Sequence, residues 1–86
     1  MPTISRFYGI FIRMYKTADH NPPHFHAVYG EYEATFDFNG DLLSGKFPPK
    51  QSRFVKVWTE MRKEELDTDW ALAAKGEDPE PIEPLK

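Results

Sequence analysis

The sequence predicts an α+β domain: one antiparallel sheet of three to four strands, with a C-terminal helix or two helices packed on one face. Three observations carry that expectation. Short runs rich in aromatic and β-branched residues fill the first half of the chain and are separated by Gly, Pro, Asn and Asp, as strands are. From about Lys50 onward the apolar residues recur at helical spacing instead. Alternation within the strands also puts the apolar residues on one side only, which leaves the helices one surface to cover.

"RFYGIFIRMY" reads as the first strand, alternating Ile10, Ile12 and Met14 against Phe11, Arg13 and Tyr15. Gly9 interrupts it as a bulge, a close backbone approach or a tolerated residue. "DHNPP" breaks the pattern, because neither proline can donate to a ladder. "HFHAVY" and "YEATFDF" follow as strands joined by Gly30-Glu31, and "DLLSGKF" is reached through Asn39-Gly40, a strong hairpin signal. "FPPK" ends the strands. A helix is expected from about Lys50 to Lys63, with Phe54, Val55, Trp58 and Met61 on one stripe. A second helical segment runs from about Leu66 to Lys75, with Leu66, Trp70, Ala73 and Ala74 inward and Gly76 as its stop. Asp67 or Thr68 caps a break between the two, or one helix runs through. Both tryptophans read as core.

The middle hairpin has a derivable register. A two-residue turn at Gly30-Glu31 sets Tyr29 opposite Tyr32, Ala27 opposite Ala34 and Phe25 opposite Phe36, all on one face. A slip of one residue would mix aromatic and polar side chains, so the pattern selects this pairing. The reverse face then carries Val28 opposite Glu33, His26 opposite Thr35 and His24 opposite Asp37. The following hairpin sets Phe36 opposite Leu43, with both on the core face.

A chain of 86 residues supports one domain, taken as 1–76, with an acidic, Pro-rich tail over 77–86 that is either loose or laid across the body through Ile82 and Leu85. The composition is globular, and its 15% aromatic content supplies burial that a short chain otherwise lacks. No long apolar run suggests a membrane span and no secretory pattern is present, so a cytoplasmic protein is expected. The absence of cysteine excludes disulfides and thiolate metal sites. The formal charge of -3 resides in the tail, which leaves the body neutral but divided. Asp19 to Asp41 contains acids and no Lys or Arg, whereas Lys46 to Lys63 contains Lys46, Lys50, Arg53, Lys56, Arg62 and Lys63 against Glu60 alone. A basic segment of that kind can meet phosphate or an acidic partner, or serve as a solvated helix face.

Every histidine lies in "DHNPPHFHAVYG". His24 and His26, two apart on a strand, project from one side, about 7 Å apart at Cα, with Asp37 across from His24. Pro22-Pro23 stiffens the approach and holds the loop carrying Asp19 and His20. Three readings follow. The first is acid–base chemistry by His24, His26 and His20, with Asp37 orienting His24 and with Arg13, or Lys50, Arg53 and Lys56 of the basic helix, holding phosphate. The second is a divalent metal (Zn, Fe, Mn or Ni) held by His20, His24, His26 and Asp37. The third is a hydrogen-bonded polar network with no chemistry. No nucleotide-binding loop, serine nucleophile motif or zinc-finger spacing appears.

From "MPTISRFYGI" through "DHNPPHFHA", "YEATFDFNG", the tryptophan and "EEL" of the helix, "DW" and "IEPLK", the chain resembles a small bacterial family of unknown function marked by Asn-Pro-Pro-His-Phe-His. The signature maps onto Asp19 to His26. The resemblance implies a partner: members are commonly encoded beside a second small protein, sometimes with a helix-turn-helix, in a toxin–antitoxin-like arrangement. Members often carry a further helix histidine where this chain has Arg62, which weakens a four-histidine metal site. The strand-then-helix order is also similar to small ribonuclease toxins of double-stranded-RNA-binding-like fold, a likeness of fold alone. The leading expectation is therefore a toxin-like protein acting on RNA or another phosphodiester. The rival is a non-enzymatic interaction module of such a pair, and the third is a His/carboxylate metal-binding protein.

Overall fold

Tyr8 and Gly9 both adopt positive φ, 50° and 78°, and so turn the chain back on itself within the run expected to be one strand. Positive φ at both central positions makes a two-residue hairpin turn whose twist matches that of the flanking strands. The first strand is therefore two, β1 (Thr3–Phe7) and β2 (Ile10–Arg13). In this computed structural model, which describes residues 3–16 and 22–86, β3 (His24–Tyr29), β4 (Tyr32–Asp37) and β5 (Leu42–Gly45) complete the sheet. Two helices follow, α1 (Pro49–Met61) and α2 (Lys63–Ala74). The sheet is antiparallel with order β1-β2-β3-β4-β5, five strands where three to four were expected. Asp19, His20 and Asn21 lie outside the described residues.

Between β3 and β4 the register is the one the alternation selects, Phe25 with Phe36, Ala27 with Ala34 and Tyr29 with Tyr32. The β4–β5 pairing differs. Phe36 pairs with Leu42 rather than Leu43, and the register shifts between Thr35 and Phe36. Asn39-Gly40 sits in a four-residue connection rather than a two-residue turn: Gly40 N–H donates to the Asp37 carbonyl (3.1 Å) and Asp37 N–H to the Asp41 carbonyl (3.0 Å). The extra residue is absorbed as an irregularity, and Leu43 stays 43% exposed instead of entering the core.

Ile4, Ile10, Ile12, Met14, Phe25, Ala27, Ala34 and Phe36 form the apolar face of the sheet, all at most 3% exposed. Val55 and Trp58 of α1, Leu66 and Ala73 of α2, and Ile82 of the tail close over it. The Phe25 ring stacks on Phe36 at 5.9 Å and meets Trp58 edge-on at 5.7 Å. Burying each such aromatic contributes about 1.5–3 kcal/mol, so these rings carry much of a small core. Met61 and Ala74, expected inward, are exposed.

Pro49 starts α1 where its missing N–H costs nothing. Arg62 ends α1 and begins α2: at φ −121° and ψ 24° it leaves helical geometry, while its N–H reaches the Trp58 and Thr59 carbonyls. The break thus falls at Arg62, not at Asp67 or Thr68. Gly76, at φ 79°, closes α2 with Gly76 N–H on the Ala73 carbonyl and Glu77 N–H on the Leu72 carbonyl. The tail then crosses the body as a strap. Ile82 N–H donates to the Ile4 carbonyl on the outer edge of β1, and Trp58 Nε1–H donates to the Glu83 carbonyl at 2.9 Å. Among the described residues, no helix is long and apolar enough to cross a membrane.

Candidate functional site

Alternation along a strand sends every second side chain to the reverse of the sheet, away from α1 and α2. Arg13 of β2, His26 of β3, Thr35 of β4 and Ser44 of β5 share one row across that reverse face. His24 and Asp37 form the next row, and Phe11, Val28 and Glu33 the row on the other side. The sequence-derived pairing of His24 with Asp37 and His26 with Thr35 is therefore the observed one.

His26 is the centre of this surface. Its ring lies 5.7 Å from that of His24 and meets the Tyr15 ring edge-on at 4.5 Å, and its Nδ1 is 3.8 Å from Glu33 Oε2. Partial burial is the main reason its pKa falls below 6.5; the neighbouring His24 lowers it further, and Glu33 opposes both. The imidazole is consequently neutral at pH 7 and able to accept a proton. Arg13, its cross-strand neighbour, supplies the nearest guanidinium in the register.

His24 is held from its own loop. Its Nδ1 lies 3.0 Å from the Pro22 carbonyl, and since a carbonyl only accepts, Nδ1 carries the hydrogen. On the helix side the ring contacts Trp70 at 5.4 Å between centroids. Trp70 is half-buried and touches Phe38 as well, so it joins the core to the edge of the polar face, a role that its helical spacing did not reveal.

Asp37 faces His24 across the ladder, but its Oδ1 accepts hydrogen bonds from the backbone N–H groups of Asn39 and Asp41, each 2.9 Å long. That oxygen organises the β4–β5 turn. Lys50, Arg53 and Lys56, the other expected substrate contacts, belong to α1 and so lie on the opposite side of the sheet from the histidines. Lys56 is engaged with Asp41 Oδ1 at 3.1 Å. Lys50 and Arg53 are exposed. The structure thus brings Arg13, His24 and His26 onto one face, with Tyr15 and Glu33 beside them, and separates them from the basic helix.

Among the described residues, no group of three or more His, Asp or Glu side chains is placed to hold a metal ion. His24, His26 and Asp37 therefore do not constitute one, and His20, the remaining expected ligand, lies outside the described residues.

One buried ionisable residue was not singled out by the sequence reading. Asp69 of α2 is 2% exposed, on the inward stripe between Leu66 and Ala73. The available signal was a carboxylate three residues after one core position and four before another.

Residues 9–71 match the pattern of a family described as a domain of unknown function, DUF4160, and the chain belongs to that family. The matched span contains Arg13, Tyr15, His24, His26, Glu33 and Asp37, and leaves out β1, the last residues of α2 and the tail. No match was found among curated proteins or among solved structures.

Proposed function

We propose that the protein acts on RNA or another phosphodiester through the reverse face of its sheet, as the toxin-like member of a two-protein module. The observation that carries this reading is the neutral, half-buried His26 in register with Arg13, on the face of the sheet opposite its apolar core. A neutral imidazole is the form that takes a proton, and a guanidinium forks onto phosphate oxygens. His26 removes the proton of a ribose 2′-hydroxyl as its oxygen attacks phosphorus. His24 serves as the general acid, giving a proton to the 5′-oxygen as that bond breaks and leaving a 2′,3′-cyclic phosphate. Arg13 balances the charge on the non-bridging oxygens.

RNA cleavage by the purified protein, compared with His24→Ala, His26→Ala and Arg13→Ala, tests the assignment. The expected result is loss of about 100-fold or more for each histidine, with the fold of each variant checked by circular dichroism. Equal cleavage by all four proteins, or none by the unaltered chain, removes the catalytic role.

The exposed Lys50 and Arg53 on α1 support a second reading, a docking surface for an acidic partner protein encoded nearby. Charge reversal at both positions then abolishes partner capture while the histidine substitutions leave it intact.

A further inference from the structure

Between the first half of α2 and the tail lies a cleft of about 410 Å3, lined by Glu64, Glu65, Thr68, Asp69, Glu80, Pro81 and Ile82. Four of those residues are acids and none is basic. Acids on a surface are ordinarily solvated and need no partner, so their number alone means little. The separate observation concerns Asp69. It is 98% buried, its Oδ1 accepts the Glu80 backbone N–H at 3.0 Å, and its Oδ2 has no hydrogen-bond partner among the described residues.

A buried carboxylate oxygen without a donor is costly, and native proteins rarely leave one without water, an ion or a ligand. Here the surroundings make the cost larger, since Glu65 and Glu80 lie close enough to repel the Asp69 carboxylate. Among the described residues no lysine or arginine pairs with Glu64, Asp69 or Glu80. Arg62, outside the lining, reaches Glu65 at 3.6 Å. Thr68 offers no donor either, because its hydroxyl is given to the Glu64 carbonyl at 3.1 Å. The cleft therefore presents acceptors from two chain segments, of which Glu65 is paired with Arg62 and Asp69 Oδ1 with the Glu80 N–H, while Glu64, Glu80 and Asp69 Oδ2 have no cation or donor among the described residues.

We propose that this cleft binds a guanidinium or alkylammonium group, seated between the carboxylates of α2 and Glu80 of the tail. A bare divalent ion fits less well, because no three of these acids converge as ligands among the described residues. A larger cation with several N–H donors spans separated carboxylates and can bond more than one at a time. Occupancy would also bridge α2 to the strap, tightening the contact that the Asp69–Glu80 hydrogen bond makes.

Isothermal titration of the full chain with agmatine, with a capped Gly-Arg-Gly peptide and with magnesium chloride tests this. Saturable binding of agmatine assigns the cleft to a small amine, and binding of the peptide alone assigns it to a basic side chain of a protein. Both outcomes support the proposal. Glu65→Gln and Glu80→Gln, both at exposed positions, are each expected to weaken binding up to about fivefold, the upper range for partly exposed ion pairs. Glu60→Gln, outside the cleft, leaves it unchanged. Absence of saturable binding, affinities indifferent to both substitutions, or displacement by equimolar magnesium overturns it.

Discussion

Replacing Asp69 by Asn stabilises the protein at neutral pH, and replacing it by Ala forfeits that gain. The carboxyl has a pKa raised above 3.8, chiefly by burial and then by Glu80 and Glu65, against the lowering effect of the Glu80 N–H. Between 3.8 and its folded value, the native state holds more protons than the unfolded chain. Stability therefore falls as pH rises through that window, and the full penalty is present above it. Asn keeps an oxygen for the Glu80 N–H and exchanges a charge-assisted bond for a neutral one, a loss of about 1 kcal/mol. Against that stands the removal of an ion whose burial costs several kcal/mol. The net expectation is a gain on the order of 1 kcal/mol at pH 7. Ala removes the same ion but leaves the Glu80 N–H without an acceptor, at a cost of about 1–3 kcal/mol that offsets the relief. Urea unfolding at pH 7 and again near pH 4 measures both, and the Asn advantage must shrink at the lower pH. An Asn variant no more stable than the Ala variant at pH 7 refutes the reasoning.

Other outcomes follow from the same geometry. Gly30→Ala, at φ 57° with no atom of the described residues beyond its chain neighbours within 4 Å of the added methyl, costs about 1–2 kcal/mol in urea unfolding. Gly40→Ala adds collisions with Thr59 Oγ1 at 2.7 Å and the Lys56 Cα at 2.8 Å, so it costs about 1–3 kcal/mol more. Trp58→Phe removes the donor to the Glu83 carbonyl, and faster amide exchange at Ile82 and Glu80 should report loosening of the strap. In an NMR titration His26 ionises below 6.5; Glu33→Gln lowers its midpoint further and His24→Ala raises it. Because the folded value is depressed, stability due to His26 is complete above 6.5 and is lost as pH falls toward that midpoint.

Alternation made most of the sheet legible. The β3–β4 register followed from six side chains that can share a core face only one way, and the reverse face came with it. The β1–β2 hairpin was hidden because its turn uses Tyr8 at positive φ, a conformation that Gly or Asn usually marks and that a bulky side chain does not announce. The β5 register escaped because Asn39-Gly40 allows both a two-residue and a longer loop, and the choice depends on the backbone donors that Asp37 collects. On the helices, spacing separated inward from outward positions but not apolar from polar ones at the boundary. Trp70 reaches past the core to His24, and Asp69 occupies a core position as a carboxylate. Neither role is visible without the third dimension.

The role of Asp37 shows how that third dimension changes the chemistry. Opposite His24 in the ladder, it suggests an acid that orients an imidazole. Its Oδ1 instead satisfies two backbone donors in a turn, each such hydrogen bond contributing about 0.5–1.5 kcal/mol. Orientation of His24 then falls to the Pro22 carbonyl, fixed by the two prolines before the strand. The two roles separate experimentally. Asp37→Asn keeps an oxygen for Asn39 and Asp41 but loses the charge, so it should leave both stability and RNA cleavage near their original values. Asp37→Ala removes the acceptor and should destabilise the β4–β5 turn by about 1–2 kcal/mol. Should Asp37→Asn abolish cleavage while unfolding normally, the carboxylate acts on His24 after all, and the turn is not its main employment.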